Sequence, residues 1–200
     1  MIERAKDLKE EKSQSFSASA DMYHRFGAFQ TNLLIEGFYT RLTDVFVLGE
    51  PYDRGDGILV KTRSNGPGAK VMGLTLEGKV AYLSILQIQA GLTLQRSRYD
   101  EPHKWHDDAP AEKKIFRTPD TYGYFTATCT PIKPLSIALS GTYTGRMLVQ
   151  RMDITAENAE LGEMPERKAE AIRTPRFFDL GVKLAYDFKL YKTVDLQLNG

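Results

Sequence analysis

The chain has 200 residues, with 27 basic and 26 acidic side chains and a formal net charge of +1, so its charge balance indicates no polyanionic partner and no nucleic acid. No stretch approaches about 18 uninterrupted apolar residues, which excludes membrane helices but not a membrane barrel, whose polar inward positions halve its apparent hydrophobicity. Cys129 is the only cysteine, so no intrachain disulfide can form. It shares the alternation of Phe125 and Ala127 and reads as a small apolar residue on a greasy face.

Residues 1–12 form a charged lead-in without the apolar core of a signal peptide, read as the end of an upstream loop or strand. Phe16, Ala18, Ala20 and Met22 then alternate with Ser15, Ser17, Ser19 and Asp21, which predicts a first strand, followed by a tight connection over 23–27. A second strand sets Phe29, Leu33, Ile35 and Tyr39 against Gln30, Asn32, Glu36 and Thr40 and continues irregularly toward Phe46. Gly, Pro and Asp over 49–57 predict a loop. The chain returns through 58–63, and Asn65-Gly66-Pro67-Gly68 reads as a bulge within one long strand that resumes with Met72, Leu74, Leu76 and Val80.

After a turn near Leu83, Leu86, Ile88, Ala90, Leu92 and Leu94 alternate with Gln87, Gln89, Gly91, Thr93 and Gln95. Residues 98–118 read as a long polar loop. Tyr122, Tyr124, Thr126 and Thr128 then oppose Gly123, Phe125, Ala127 and Cys129, and Pro131 and Pro134 bracket a turn. The next strand rises from Leu135 to about Gln150, a charged segment over 153–173 reads as loop, and Phe178, Leu180, Val182, Leu184, Tyr186 and Phe188 form an uncharged face opposite Asp179, Lys183 and Asp187. Residues 189–192 make the last short turn before Val194, Leu196 and Leu198.

The strands number about eight, and their connections are alternately short and long, the plan of an up-and-down outer-membrane barrel with short periplasmic turns and long outer loops. The expected fold is therefore all-β: an antiparallel up-and-down transmembrane β-barrel segment of about eight long strands, an incomplete barrel. A Lys or Arg on the lipid face costs roughly 2–4 kcal/mol near the midplane, and the strands beginning at Ile85, Leu135 and Phe178 keep their charges on one parity. Tyr39, Tyr143, Tyr186 and Phe188, on the apolar parity, suit interfacial aromatic girdles.

The segment Leu33-Leu34-Ile35-Glu36-Gly37-Phe38-Tyr39-Thr40-Arg41-Leu42-Thr43-Asp44-Val45-Phe46 resembles a strand of the barrel of TonB-dependent outer-membrane receptors. Residues 68–77 resemble the strand that follows it there, and Arg173-Thr174-Pro175-Arg176 and Leu196-Gln197-Leu198-Asn199-Gly200 agree with the same order. The resemblance implies location in the outer membrane of a Gram-negative bacterium. It implies capture of a scarce nutrient (siderophore, cobalamin or glycan) and passage past a plug domain with energy transmitted by TonB. Nothing here resembles the plug. Residues 13–200 are thus expected to be part of such a barrel, with the plug and the last strands absent. The implied partners are outer-membrane lipid, the receptor's own plug, the TonB complex through that plug, a small-molecule or glycan ligand and a surface lipoprotein.

His103, Trp105, His106, Asp107 and Asp108 form the densest polar-aromatic cluster. They lack recognised zinc spacing, so no metal or cofactor is assigned, and two readings stand: a solvated loop, or a ligand-contacting loop with Trp105 as a stacking surface. Gln30, Asn32, Glu36, Gln87, Gln89, Gln95, Tyr122, Tyr124, Arg146, Lys183 and Asp187 are expected to face the lumen. His24 falls in the expected turn. No nucleophile elbow, phosphate-binding glycine loop or supported Ser/His/Asp set is present, so an enzyme is not expected. The alternatives are a self-contained eight-stranded outer-membrane barrel with a structural or adhesive role, and a soluble ligand-binding β-barrel.

Overall fold

The computed structural model describes residues 1–55, 57–106, 109–155, 166–191 and 194–200. In chain order the strands are β1 (Ile2–Arg4), β2 (Lys12–Phe26), β3 (Phe29–Thr43), β4 (Phe46–Asp53), β5 (Leu59–Asn65), β6 (Ala69–Tyr82) and β7 (Leu86–His103). They continue as β8 (Glu112–Lys114), β9 (Thr121–Ile132), β10 (Leu135–Thr144), β11 (Leu148–Thr155), β12 (Glu166–Arg173), β13 (Phe177–Tyr191) and β14 (Val194–Asn199). Eight of them form one antiparallel sheet in the order β14-β13-β10-β9-β7-β6-β3-β2, with β8 on the extension of β7. The remainder form two small sheets in the long connections, β1-β5-β4 and β11-β12. The two edge strands of the main sheet, β2 and β14, do not pair with each other, so the sheet is open rather than a closed eight-stranded barrel.

Register turns the alternation of each strand into two continuous faces. Ala20 pairs with Ile35, Ile35 with Leu76, Leu76 with Leu92, Leu92 with Gly123, Gly123 with Tyr143 and Tyr143 with Phe178. One residue along, Ser19, Glu36, Thr75, Thr93, Tyr122 and Thr144 form the matching polar row. A slip of one residue at any interface would exchange the faces.

The exposure of the two faces separates membrane from soluble architecture. A soluble barrel buries its apolar parity in a packed core, yet here Leu180, Val182 and Leu184 are 61, 65 and 50% exposed. On the polar face Thr93 is 7% exposed and Ser97 1%. Over β6 and β7 the polar face is the more covered one, and the apolar face looks outward as a lipid-facing surface must. Glycine permits close covering of the enclosed face. A Cβ on Gly91 would lie 2.6 Å from the Tyr124 ring, whose hydroxyl accepts a hydrogen bond from Gln89 Nε2 at 2.9 Å.

Five expectations change. Residues 58–80 are not one bulged strand: β5 belongs to the small β1-β5-β4 sheet, and β6 begins afresh at Ala69. Pro67 has no N–H for a ladder, and a side chain on Gly66 would collide with Val47. The turn after β2 is Gly27-Ala28, with Gly27 at φ 61°, so Tyr23 and His24 lie within the strand. The second strand stops at Thr43, where Asp44 adopts φ 53°, and most of 49–57 is strand β4. In the long loop over 98–118, β7 extends to His103 and β8 adds a short strand. The strand from Leu135 ends at Thr144, and the segment read as rising to Gln150 begins a hairpin, β11-β12, over part of the charged loop.

Candidate functional site

The polar parity of the sheet carries most of the residues expected in the lumen. Gln30 pairs with Ala81, which pairs with Gln87; Asn32 pairs with Lys79, which pairs with Gln89. Tyr122 and Tyr124 sit opposite Thr93 and Gly91, Glu36 opposite Thr75, and Lys183 opposite Ala138. Several are held by neighbours rather than presented freely. Asn32 donates to Asp21, which also accepts from the Tyr23 hydroxyl at 3.0 Å. Gln197 Nε2 donates to Asp187 at 2.7 Å, and Gln95 Nε2 donates to the Pro119 carbonyl at 2.9 Å. Arg146 lies beyond the end of β10, in a recess of about 160 Å³ with Asp120, Tyr143, Arg173 and Arg176.

At the loop end, β7 carries Tyr99 and His103 two steps apart on the same parity, with ring centroids 5.6 Å apart. His103 pairs across to Glu112 of β8. Burial pushes the His103 imidazole below its ordinary range and the Tyr99 phenol above its own. Trp105 sits edge-on to Phe116 at 6.3 Å and beside His106 at 5.8 Å. Its Nε1–H is buried without an acceptor among the described residues. The rings form two groups, Tyr99 with His103 and Trp105 with His106 and Phe116, while Asp107 and Asp108 lie outside the described residues. Among the described residues no group of His, Cys, Asp and Glu could hold a metal ion.

Reading the motifs one segment at a time missed a second feature at this end. Asp100 receives a two-pronged contact from Arg41, at 2.9 and 2.8 Å, and an ion pair from Lys70 at 3.1 Å. Burial works against its charge, but Lys70 and Arg41 outweigh that and hold the carboxyl below its ordinary range. Arg41, Lys70, Arg96, Arg98 and Asp100 all continue the outward, apolar parity of their strands. Following each alternation past its last apolar residue is the signal that finds them.

An apolar outward face, an enclosed polar face, and short turns at one end opposite long connections at the other define the wall of an outer-membrane β-barrel. The chain belongs to the family described as TonB dependent receptor-like, beta-barrel, whose model matches residues 2–200. Its barrels lie in the outer membrane of Gram-negative bacteria, and its members are receptors and transporters rather than enzymes. Among solved structures, the chain is similar to the ferric-catecholate import receptor Fiu from K12 E. coli, with a TM-score of 0.61 and 16% identity, covering 98% of this chain and 24% of that one. The pyoverdine receptor FpvA from Pseudomonas aeruginosa gives 0.60 and 13% identity, over 96% and 25% of the two chains. The FrpB iron transporter from Neisseria meningitidis gives 0.58 and 16%, over 93% and 26%. Identities this low speak to fold alone. The chain spans about a quarter of the length of each of these proteins. No curated protein sequence matches it.

Proposed function

We propose that residues 13–200 form part of the wall of a receptor that captures a scarce nutrient at the outer membrane and imports it by TonB-dependent transport. In this reading the plug, the TonB contact it carries and the remaining strands of the barrel lie outside the 200 residues. The observation that carries the reading is the family match over residues 2–200 on a sheet with one continuous apolar face, exposed, and one polar face, the more covered over β6 and β7. A ferric siderophore is the substrate class to test first, because iron, catecholate and pyoverdine are what the similar structures are named for. Cobalamin and glycans are the alternative cargoes. A surface lipoprotein is a further partner of the proposed receptor.

The loop over 103–108 is the proposed ligand contact, supported by the unpaired Trp105 donor and by the His106 and Phe116 rings packed against that indole. The test is made on the intact receptor, titrated with ferric catecholate, ferric hydroxamate, cobalamin and an oligosaccharide. Saturable binding of a ferric chelate is expected. Replacing His103, Trp105, His106, Asp107 and Asp108 by alanine is expected to weaken it at least about tenfold, the loss that follows truncation of one buried aromatic anchor. Unchanged affinity removes the loop from the site, and exclusive binding of cobalamin or oligosaccharide replaces the iron assignment.

A further inference from the structure

We propose that the exposed face of the small β1-β5-β4 sheet is the docking surface for the acidic segment 153–166 of the same chain, of which 156–165 lie outside the described residues. The inference is independent of which nutrient is imported. Strands β4 and β5 lie in the connection between β3 and β6, off the wall that lipid covers. Register separates the two faces of their sheet. On one, Ile2 stands beside Lys61 and Lys61 beside Pro51, while Arg4 stands beside Arg63 and Arg63 beside Leu48; Leu59 and Phe46 continue it. On the other, Val60 pairs with Tyr52 and Thr62 with Glu3, and Val60 is fully buried. Ile2, Phe46, Leu48 and Leu59, on the first face, are between 43 and 62% exposed. An open apolar patch set among charges marks a contact surface.

The charges on that face say what covers it. Arg4 and Arg63 stand directly opposite each other, an arrangement that destabilises a sheet unless an anion lies against it. Arg4, Lys61 and Arg63 have no anionic partner among the described residues. Asp53 shares the face, but its Oδ1 accepts from the Gly55 and Gly57 amides at 2.8 and 3.2 Å. Other cations at the loop end already have an acid beside them: Asp100 lies with Arg41 and Lys70, and Asp120 with Lys114 and in the recess of Arg146, Arg173 and Arg176. The open face therefore suits carboxylates interspersed with apolar side chains. A second copy of the same face would set cation against cation, which disfavours a self-contact.

The chain carries a segment of that chemistry. Between Arg151 and Arg167 it has five acidic residues, Asp153, Glu157, Glu160, Glu163 and Glu166, and no Lys or Arg, with Ile154, Leu161 and Met164 among them. At the stem of this connection the register matches charge with charge, Arg151 opposite Glu170 and Asp153 opposite Lys168, so the excess of acid lies beyond it. Reach permits the contact. Strand β10, from which the connection leaves, is three interstrand steps from β6 in the main sheet, about 14 Å at about 4.8 Å a step. Half of the segment, about seven residues, spans about 23 Å at about 3.3 Å per residue. Docking sets carboxylates against Arg4, Lys61 and Arg63, covers Ile2, Leu48 and Leu59, and fastens the connection after β3 to the one after β10.

The test treats the intact receptor, in neutral detergent, with a water-soluble carbodiimide, which joins a lysine amine to a carboxylate in contact with it, and reads the links by peptide mass spectrometry. A link from Lys61 to Glu157, Glu160 or Glu163 is expected, with the Lys114 and Asp120 ion pair as the internal positive control. Arg4→Ala/Arg63→Ala is expected to lower the Lys61 yield at least about fivefold and to leave the control link unchanged. Absence of the Lys61 link where the control link forms, links from Lys61 only to carboxylates outside 153–166, or an unchanged yield in the double variant overturns the proposal. A link found only between isotopically labelled and unlabelled copies in a mixed sample also overturns it, because the segment would then dock on a second molecule. If the double variant fails to assemble, Leu59→Ser, at an exposed position of the same face, is expected to lower the yield at least about twofold; an unchanged yield there overturns it equally.

Discussion

Gly73 shows how little room the enclosed face leaves a single residue. A Cβ built there would lie 2.6 Å from the Leu94 carbonyl oxygen and would also meet the Phe38 ring. Phe38 can turn, but Leu94 is Gly73's near neighbour in the β6–β7 ladder, and its carbonyl cannot retreat without opening it. Gly73→Ala is therefore expected to destabilise the intact barrel by about 1–3 kcal/mol, read as a lower urea midpoint with an unchanged slope. Asp100 makes a prediction of a different kind. Its folded carboxyl titrates below the ordinary 3.8, so its contribution to stability is present above about pH 4 and is lost as the pH falls through the folded value. Asp100→Asn is expected to lower stability at neutral pH and to flatten the acid limb of the stability profile, checked by denaturant unfolding at a series of pH values. An acid limb of unchanged steepness in the variant would assign that limb to other carboxylates.

At the scale of elements, what the sequence reveals depends on whether a strand has two different surroundings. Strands β2, β3, β6, β7, β9, β10 and β13 lie between lipid and an enclosed polar space, so their side chains alternate and their existence is legible from period two. The hairpins in the long connections are not. Strand β5 carries Lys61 on one parity and Thr62 and Ser64 on the other, and β12 carries charge on both parities, Lys168 and Glu170 against Arg167 and Arg173, so they read as loop. Their strand character comes from pairing with each other, which no single segment shows. The faces themselves are open to test. Leu76, mid-band and 45% exposed on the outward face, is expected to cost about 2–4 kcal/mol when replaced by arginine. Glu77→Arg, one residue along and inward, is expected to cost less than about 1 kcal/mol, since a lumen position tolerates charge. Unfolding of both variants in lipid vesicles compares them, and equal costs would contradict the assignment of faces.

For the whole molecule, the open sheet and its outward apolar face decide its behaviour in solution. Phe16, Leu180, Val182 and Leu198 are between 61 and 70% exposed, and the sheet has unpaired edges at β2 and β14. A contiguous apolar surface of this extent is not stable in water, and unpaired edges template association. The 200-residue chain is expected to aggregate in plain buffer and to be kept dispersed only by detergent or lipid; a monodisperse folded chain in buffer, checked by sedimentation and circular dichroism, would contradict the lipid-facing assignment.

Sequence alone determined that the chain is all-β, that its strands separate apolar from polar positions, and that short and long connections alternate. These are local properties, written in the period of each strand and in its glycines and prolines. It also marked residues 103–108 as a polar-aromatic cluster, without showing that Trp105 packs against Phe116. Tertiary structure decided which face is enclosed, which connections fold into hairpins, and which distant residues share a row. Arg41, Lys70, Arg98 and Lys114 are unremarkable in their own segments, and only the summed registers of successive strand pairs bring them together at the edge of the apolar band.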